Sequence, residues 1–187
     1  ITKTDSGVLT LSGSGANSFG GTLAINDGTV ALAKTSGTHA IGNAAVNIGD
    51  GAGAAGSAVL RLDASHQIAD YSGLVTVNSD GVLRVNNFTE GINRLAGTGL
   101  IDLSTSGYLA VGVNSGSSTF GGSITGTGTF AKTGSGNLTL TQDIDFNGTF
   151  KLDGGTLTLS GISLSADTLL VTSNSIIDFA GSAALLD

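Results

Sequence analysis

One nine-residue phrase is written twice in this chain, as KTDSGVLTL from Lys3 to Leu11 and as KTGSGNLTL from Lys132 to Leu140. Seven of the nine residues are identical, although the copies stand 129 positions apart. A shorter core, a glycine followed by alternating apolar residues, recurs more often. It reads SGVLTL at Gly7, DGTVAL at Gly28, DGVLRV at Gly81, SGYLAV at Gly107, SGNLTL at Gly136 and GGTLTL at Gly155. These glycines are 21, 53, 26, 29 and 19 residues apart, and the long gap holds a weaker copy, GSAVLRL, from Gly56 to Leu62. Self-similarity at a period of roughly 20–30 residues is the mark of a solenoid or array.

Each copy alternates. After Gly136, Leu138 and Leu140 point one way and Asn137 and Thr139 the other; Leu157 and Leu159 repeat this after Gly155. A period of two is the signature of a strand with one buried face. The glycine suits a turn position with positive φ, and Asp27 and Asp80 before their glycines are ordinary turn chemistry. A second phrase is interleaved: FGGTLAI from Phe19, FGGSI from Phe120 and FNGTFKL from Phe146. Each period therefore carries at least two short strands. The only helical candidate, His39 to Val46, is broken by Gly42 and too short to be stable. Strands and turns in such a period predict a right-handed parallel β-helix whose leucines stack in ladders while Thr, Ser and Asn face outward. A β-sandwich accounts for the strands but not for the repetition. The prediction is a single all-β solenoid domain over residues 1–187.

Composition narrows the function. The chain has 31 glycines and no proline, which suits regular tight turns better than a loose linker. Net charge is −7, and the seven Lys and Arg are scattered singly, so the footprint of a nucleic-acid binder is missing. Without cysteine there is no disulfide or thiolate metal site. No apolar run reaches the ~18 residues of a membrane helix. Two tyrosines and no tryptophan argue against the aromatic girdles of a transmembrane barrel.

The stretch STFGGSITGTGTFAKTGSGNLTLTQ, Ser118 to Gln142, resembles the autotransporter-associated β-strand repeat, through Phe120, Gly122, Gly126, Gly128, Phe130, Lys132, Gly134, Gly136, Leu138 and Leu140. The N-terminal KTDSGVLTLSGSGANSFGGTLAINDGTVAL is similar to the next part of the same unit, and the centre resembles its degenerate linking coils. The resemblance implies a secreted protein of the bacterial cell surface, a passenger-like stalk or adhesive scaffold without catalysis. The chain shows no C-terminal barrel segment of a full autotransporter.

Chemistry-bearing residues are few. GAGAAG, Gly51 to Gly56, has the spacing of a dinucleotide fingerprint, but the strand-like SAVLRL follows where a helix is needed. His39 and His66 stand in no metal or triad motif. Asp143 and Asp145, at i and i+2, are the strongest carboxylate pair and the basis of a competing reading as a polysaccharide-processing β-helix enzyme. Such enzymes need basic and aromatic groups in a groove, and Arg61, Arg84 and Arg94 fall on different coils. No calcium loop or acidic nonapeptide repeat is present. Threonine arrays can bind ice, but the T-x-T pairs at Thr139/Thr141 and Thr156/Thr158 do not promise an array in register. The triplets at Asn87, Asn137 and Asn147 match N-glycosylation acceptors by composition alone.

No residue is nominated as catalytic, cofactor-binding or metal-binding, and no cofactor is expected. The expected partners are a continuation of the solenoid in a longer parent chain or another copy stacked end to end, because the first and last coils have open edges and neither terminus reads as a polar cap. A glycan or another cell-surface ligand fits the same reading.

Overall fold

The computed structural model describes residues 1–180; the C-terminal SAALLD, one of the two ends expected to continue or stack, lies outside the described residues. Every regular element among them is a strand, and the strands pair in parallel. The chain winds as a parallel β-solenoid. One register position can be followed from coil to coil: Thr2, Ala24, Asn47, Thr76, Ala96, Thr119, Thr139, Thr158, Asp178. Successive members are 22, 23, 29, 20, 23, 20, 19 and 20 residues apart, so nine coils share a pitch set by the pairing of strands rather than by a fixed length.

Each coil presents up to three strand segments. The first face stacks the start of β2 (Thr22–Lys34) under β3 (Ala45–Ile48), β5 (Leu74–Val77), β8 (Arg94–Gly97), β11 (Ser118–Phe120), β14 (Asn137–Leu140), β16 (Gly155–Leu159) and β18 (Ser175–Asp178). The second stacks the rest of β2 under β4 (Ala58–Leu62), β6 (Gly81–Arg84), β9 (Leu100–Asp102) and β12 (Ser123–Thr125). The third runs through β7 (Thr89–Ile92), β10 (Tyr108–Val111), β13 (Thr129–Thr133), β15 (Ile144–Asp153) and β17 (Leu164–Val171). β1 (Thr2–Gly13) lies on β2, and both run unbroken round a corner, which joins the first two faces into one sheet.

The alternation seen in the sequence becomes inward ladders. Leu138 and Leu157 are fully buried, while Thr139 and Thr158 between them face outward. On the second face Val30, Leu60, Leu83, Ile101 and Ile124 stack inside; on the third, Leu109, Phe130 and Phe150 do so, with the two phenylalanine rings tilted 37° at 5.3 Å. Where the first-face ladder reaches Gly97, Phe120 of the next coil fills the space. The weaker copy ending at Leu62 takes its expected place as β4.

Two expectations need correction. The phrase does not mark one point per coil. Gly7, Gly28 and Gly81 lead onto the second face, Gly107 onto the third, and Gly136 and Gly155 onto the first, so the 26- and 29-residue spacings include a change of face. Positive φ holds at only two of the six glycines, Gly28 (74°) and Gly155 (69°). Gly81, Gly107 and Gly136 are glycine because of close backbone approach alone, a restriction that Gly28 and Gly155 share in addition to their positive φ. A Cβ there would run into carbonyl oxygens, of Ile48 for Gly81, Asn86 and Leu103 for Gly107, and Ser115 for Gly136.

Candidate functional site

The lysine that opens the long phrase points inward. Lys132 occupies a ladder position between Val111 and Leu152 and is fully buried. Its ammonium donates to the carbonyls of Thr133 (2.7 Å) and Gly134 (2.9 Å) in its own coil and of Gly154 (3.1 Å) in the next. Lys3 repeats the arrangement, donating to the carbonyl and carboxylate of Asp5 and to the carbonyl of Asp27 (3.3 Å) one coil on. Both copies share two acceptors, the carbonyl two residues after the lysine and, in the next coil, the carbonyl just before a glycine, Asp27 before Gly28 and Gly154 before Gly155. Space for the ammonium comes from a glycine in that next coil: a Cβ on Gly155 would lie 2.8 Å from Lys132 Nζ, and one on Gly28 2.7 Å from Lys3 Nζ. These are the two phrase glycines with positive φ. Burial lowers the pKa of Lys132, and no carboxylate pairs with it among the described residues. The corner lysine escaped the sequence reading, although its identity in both copies was the signal.

A second set of buried groups does the opposite task. On the third face, coils two and three share only an isolated bridge, Ile41 with Ile68. Gln67, fully buried, accepts from the Lys34 N–H (2.8 Å). Glu90 takes the ladder position below Leu109 and accepts from the N–H groups of Gln67 (2.6 Å), Ile68 (3.2 Å) and Gly91 (3.0 Å). Burial pushes the Glu90 carboxyl up to about 8, against the pull of these N–H groups and with Asp70 adding to the rise. Asp80 serves the Gly-rich loop. Burial opposes its ionisation, but the N–H groups of Gly51 (2.8 Å), Asp50 and Gly53 outweigh that and hold its pKa below the usual carboxylate value. The GAGAAG segment is thus a loop followed by strand β4, and its anion-binding nest is filled by the protein's own Asp80.

Glu90 also reaches the wall of a cleft of about 180 Å³ on the third face, shared with His66, Asp70, Thr89 and Tyr108. The remaining lining is small or apolar, namely Gly91, Ala110 and Val113. A Cβ on Gly91 would crowd Asp70 Oδ1 (3.1 Å) and Val113 (3.0 Å), so a strand glycine keeps the cleft open. His39 stands edge-on to the exposed Tyr71 with ring centroids 6.3 Å apart.

The other sequence candidates are dispersed. Asp143 accepts from the N–H (2.8 Å) and hydroxyl (3.1 Å) of Ser163, joining two coils, and Asp145 is an exposed strand residue opposite Ser165. Arg61 and Arg84 do fall on different coils, yet register places them side by side in one outward column with Asp102. Each has its own acid: Arg61 holds Asp63 with two bonds (2.8 and 2.7 Å), and Arg84 holds Asp102 at 3.0 Å. Threonines stack in register more than the sequence suggested. Thr119, Thr139 and Thr158 form one outward column, but the neighbouring rank has Asn137 below Thr156, so the T-x-T pairs do not build a two-rank array. Among the described residues no three His, Asp or Glu converge to hold a metal ion. No helix among them is long and apolar enough to cross a membrane.

Fold and corners together define a parallel β-solenoid built from recurring lysine-cornered coil pairs. Residues 1–32 and 130–159 match the family described as the passenger-associated-transport-repeat, in agreement with the resemblance read from the sequence. Each matched stretch contains one corner lysine together with the glycine of the next coil that admits it. No curated protein and no solved structure matches the chain.

Proposed function

We propose that this chain is a non-catalytic extracellular scaffold, a stiff segment of a bacterial surface passenger whose task is to span distance and present an adhesive face. The observation that carries the reading is the coincidence of the two passenger-repeat matches with the two lysine corners. The repeat occupies the positions that lock one coil to the next, which is what a load-bearing rod needs. The edge strands at either end continue, in this reading, into further β-structure, either a neighbouring segment of a parent chain or another copy. The exposed Val8 on the first coil and Ile176 on the last described one support that. Antibodies against the purified chain, applied to intact cells of the bacterium that produces it, test the location. Labelling without permeabilisation is expected, and labelling only after permeabilisation refutes the reading. Incubation with plant and bacterial polysaccharides tests the absence of catalysis: no new reducing ends are expected, and their steady release would make the chain an enzyme.

A further inference from the structure

We propose that the third face carries a binding track for a neutral, β-linked glycan chain, with one sugar residue seated in the cleft at Tyr108 and the rest lying along a column of threonines. The inference rests on the adhesive part of the scaffold reading and names what would be held. Both histidines and both tyrosines of the chain fall in coils two to five, on or beside this face. The cleft combines the aromatic side of Tyr108, the carboxylate of Asp70 and a floor of Gly91 and Ala110, and its volume of about 180 Å³ suits a single sugar ring rather than a large cofactor.

The cleft does not stand alone. Thr89 and Tyr108, which line it, head an outward column that continues in register through Thr129, Thr149 and Thr168. Successive members are one strand spacing apart, about 4.8 Å, close to the length each residue adds to an extended β-linked glycan. Beside this column runs a rank of small residues, Gly91, Ala110 and Ala131, that leaves the hydroxyls accessible from one side. Sugars are recognised by such a mixture: an apolar ring surface for the C–H face and fixed acceptors for the hydroxyls. Charge decides which sugars. No Lys or Arg lines the cleft, and Lys151 farther along the track is tied to Asp153 at 2.9 Å. With Asp70 at the mouth and a net charge of −7, an anionic glycan is repelled.

Titration calorimetry of the intact chain with cellohexaose and with mannohexaose tests this, with a hexamer of galacturonate as the anionic probe. Binding of at least one neutral hexamer is expected, with no binding of galacturonate. Tyr108→Ala should weaken it about tenfold or more, and Tyr108→Phe should retain most of it. Asp70→Asn, at an exposed position, should weaken binding without changing the melting temperature. Thr149→Val should weaken the hexamer about threefold yet leave the weak binding of the free monosaccharide unchanged, because it lies two coils from Tyr108. No binding of either neutral hexamer, a preference for galacturonate, or unaltered binding by both Tyr108→Ala and Asp70→Asn overturns the track. Failure of surface labelling on intact cells would instead overturn the scaffold reading, and the two results are independent.

Discussion

The lysine-cornered coils and the irregular stretch of coils two to four solve the same problem with opposite hydrogen-bonding partners, a donor in one and acceptors in the other. At the corners after Lys3 and Lys132 the chain turns with carbonyls pointing inward from two successive coils, and an ammonium answers them. On the third face around Ile41 and Ile68 the strand ladder lapses, and the orphaned groups are N–H donors. There the buried side chains are acceptors, Gln67 and Glu90, and at the long Gly-rich loop Asp80. The sign of a buried polar residue in this solenoid follows from which half of the peptide bond the local turn leaves unpaired, since either half is costly to bury alone. Both matched stretches carry the lysine solution, while Gln67, Glu90 and Asp80, the acceptors, all lie between them.

The regular coils are the harder to perturb on the outside and the easier on the inside. Leu138→Asp places an unpartnered carboxylate in the ladder and should cost about 4 kcal/mol or more, whereas Thr139→Asp, one residue away, should cost under about 1 kcal/mol. Equal losses in urea denaturation would break the register on which the comparison stands. Next in size is the corner itself. Lys132→Met keeps the length and apolar stem but strands three carbonyls, for a loss of about 2–3 kcal/mol. A neutral outcome in the same denaturation series would reduce the corner lysine to a space filler.

The acidic solution should announce itself by pH. Glu90 has a folded-state pKa raised from 4.5 to about 8, so the native state binds the extra proton. Stability contributed by this group is complete below the unfolded value and declines as pH rises from about 4.5 to about 8, then levels off. Asp80 acts in the other direction and elsewhere: its lowered pKa gives stability that is present above 3.8 and lost as pH falls below it. Melting temperatures of the wild type should therefore drift down between pH 5 and 8, and Glu90→Gln, which keeps an acceptor for the Gln67 and Ile68 N–H groups, should flatten that drift. An unchanged slope in the variant would remove Glu90 as its source.

Smaller effects separate the glycines. Gly155→Ala meets the carbonyl oxygens of Gly136 and Gly134, then the Lys132 ammonium (2.8 Å), at a positive φ, and should destabilise by about 2 kcal/mol; Gly7→Ala finds only Asp5 Oδ1 at 3.3 Å and should fall within about 0.5 kcal/mol of wild type. A calorimetric scan that reversed their order would show that neither the crowded corner nor the positive φ sets the glycine requirement. Smallest of all is chelation: EDTA should leave the melting temperature unmoved, and a drop of several degrees would reveal a structural cation in one of the acidic turns.

Much of the fold was legible before any coordinates, because period-two burial is a local property. The alternation after Gly136 and Gly155 fixes which leucines go inward whatever the neighbouring coil does, and repetition at about one coil length makes stacking the only way to bury all of them. The family resemblance was legible for the same reason, since the repeat is mostly the turn and ladder chemistry itself. The buried charges were not. Lys132 and Glu90 sit in ladder positions that a hydropathy pattern assigns to apolar side chains or leaves outside, and a neighbouring coil supplies part of the groups that make them tolerable there, Gly154 for Lys132 and Gln67 and Ile68 for Glu90. The face on which each phrase falls was equally hidden, because corner lengths of variable size reset it without changing the phrase. So was the company of Tyr108, whose column partners Thr129, Thr149 and Thr168 stand 21, 41 and 60 residues away. Sequence determines what each strand must bury; register, which is a relation between coils, decides which side chains become neighbours.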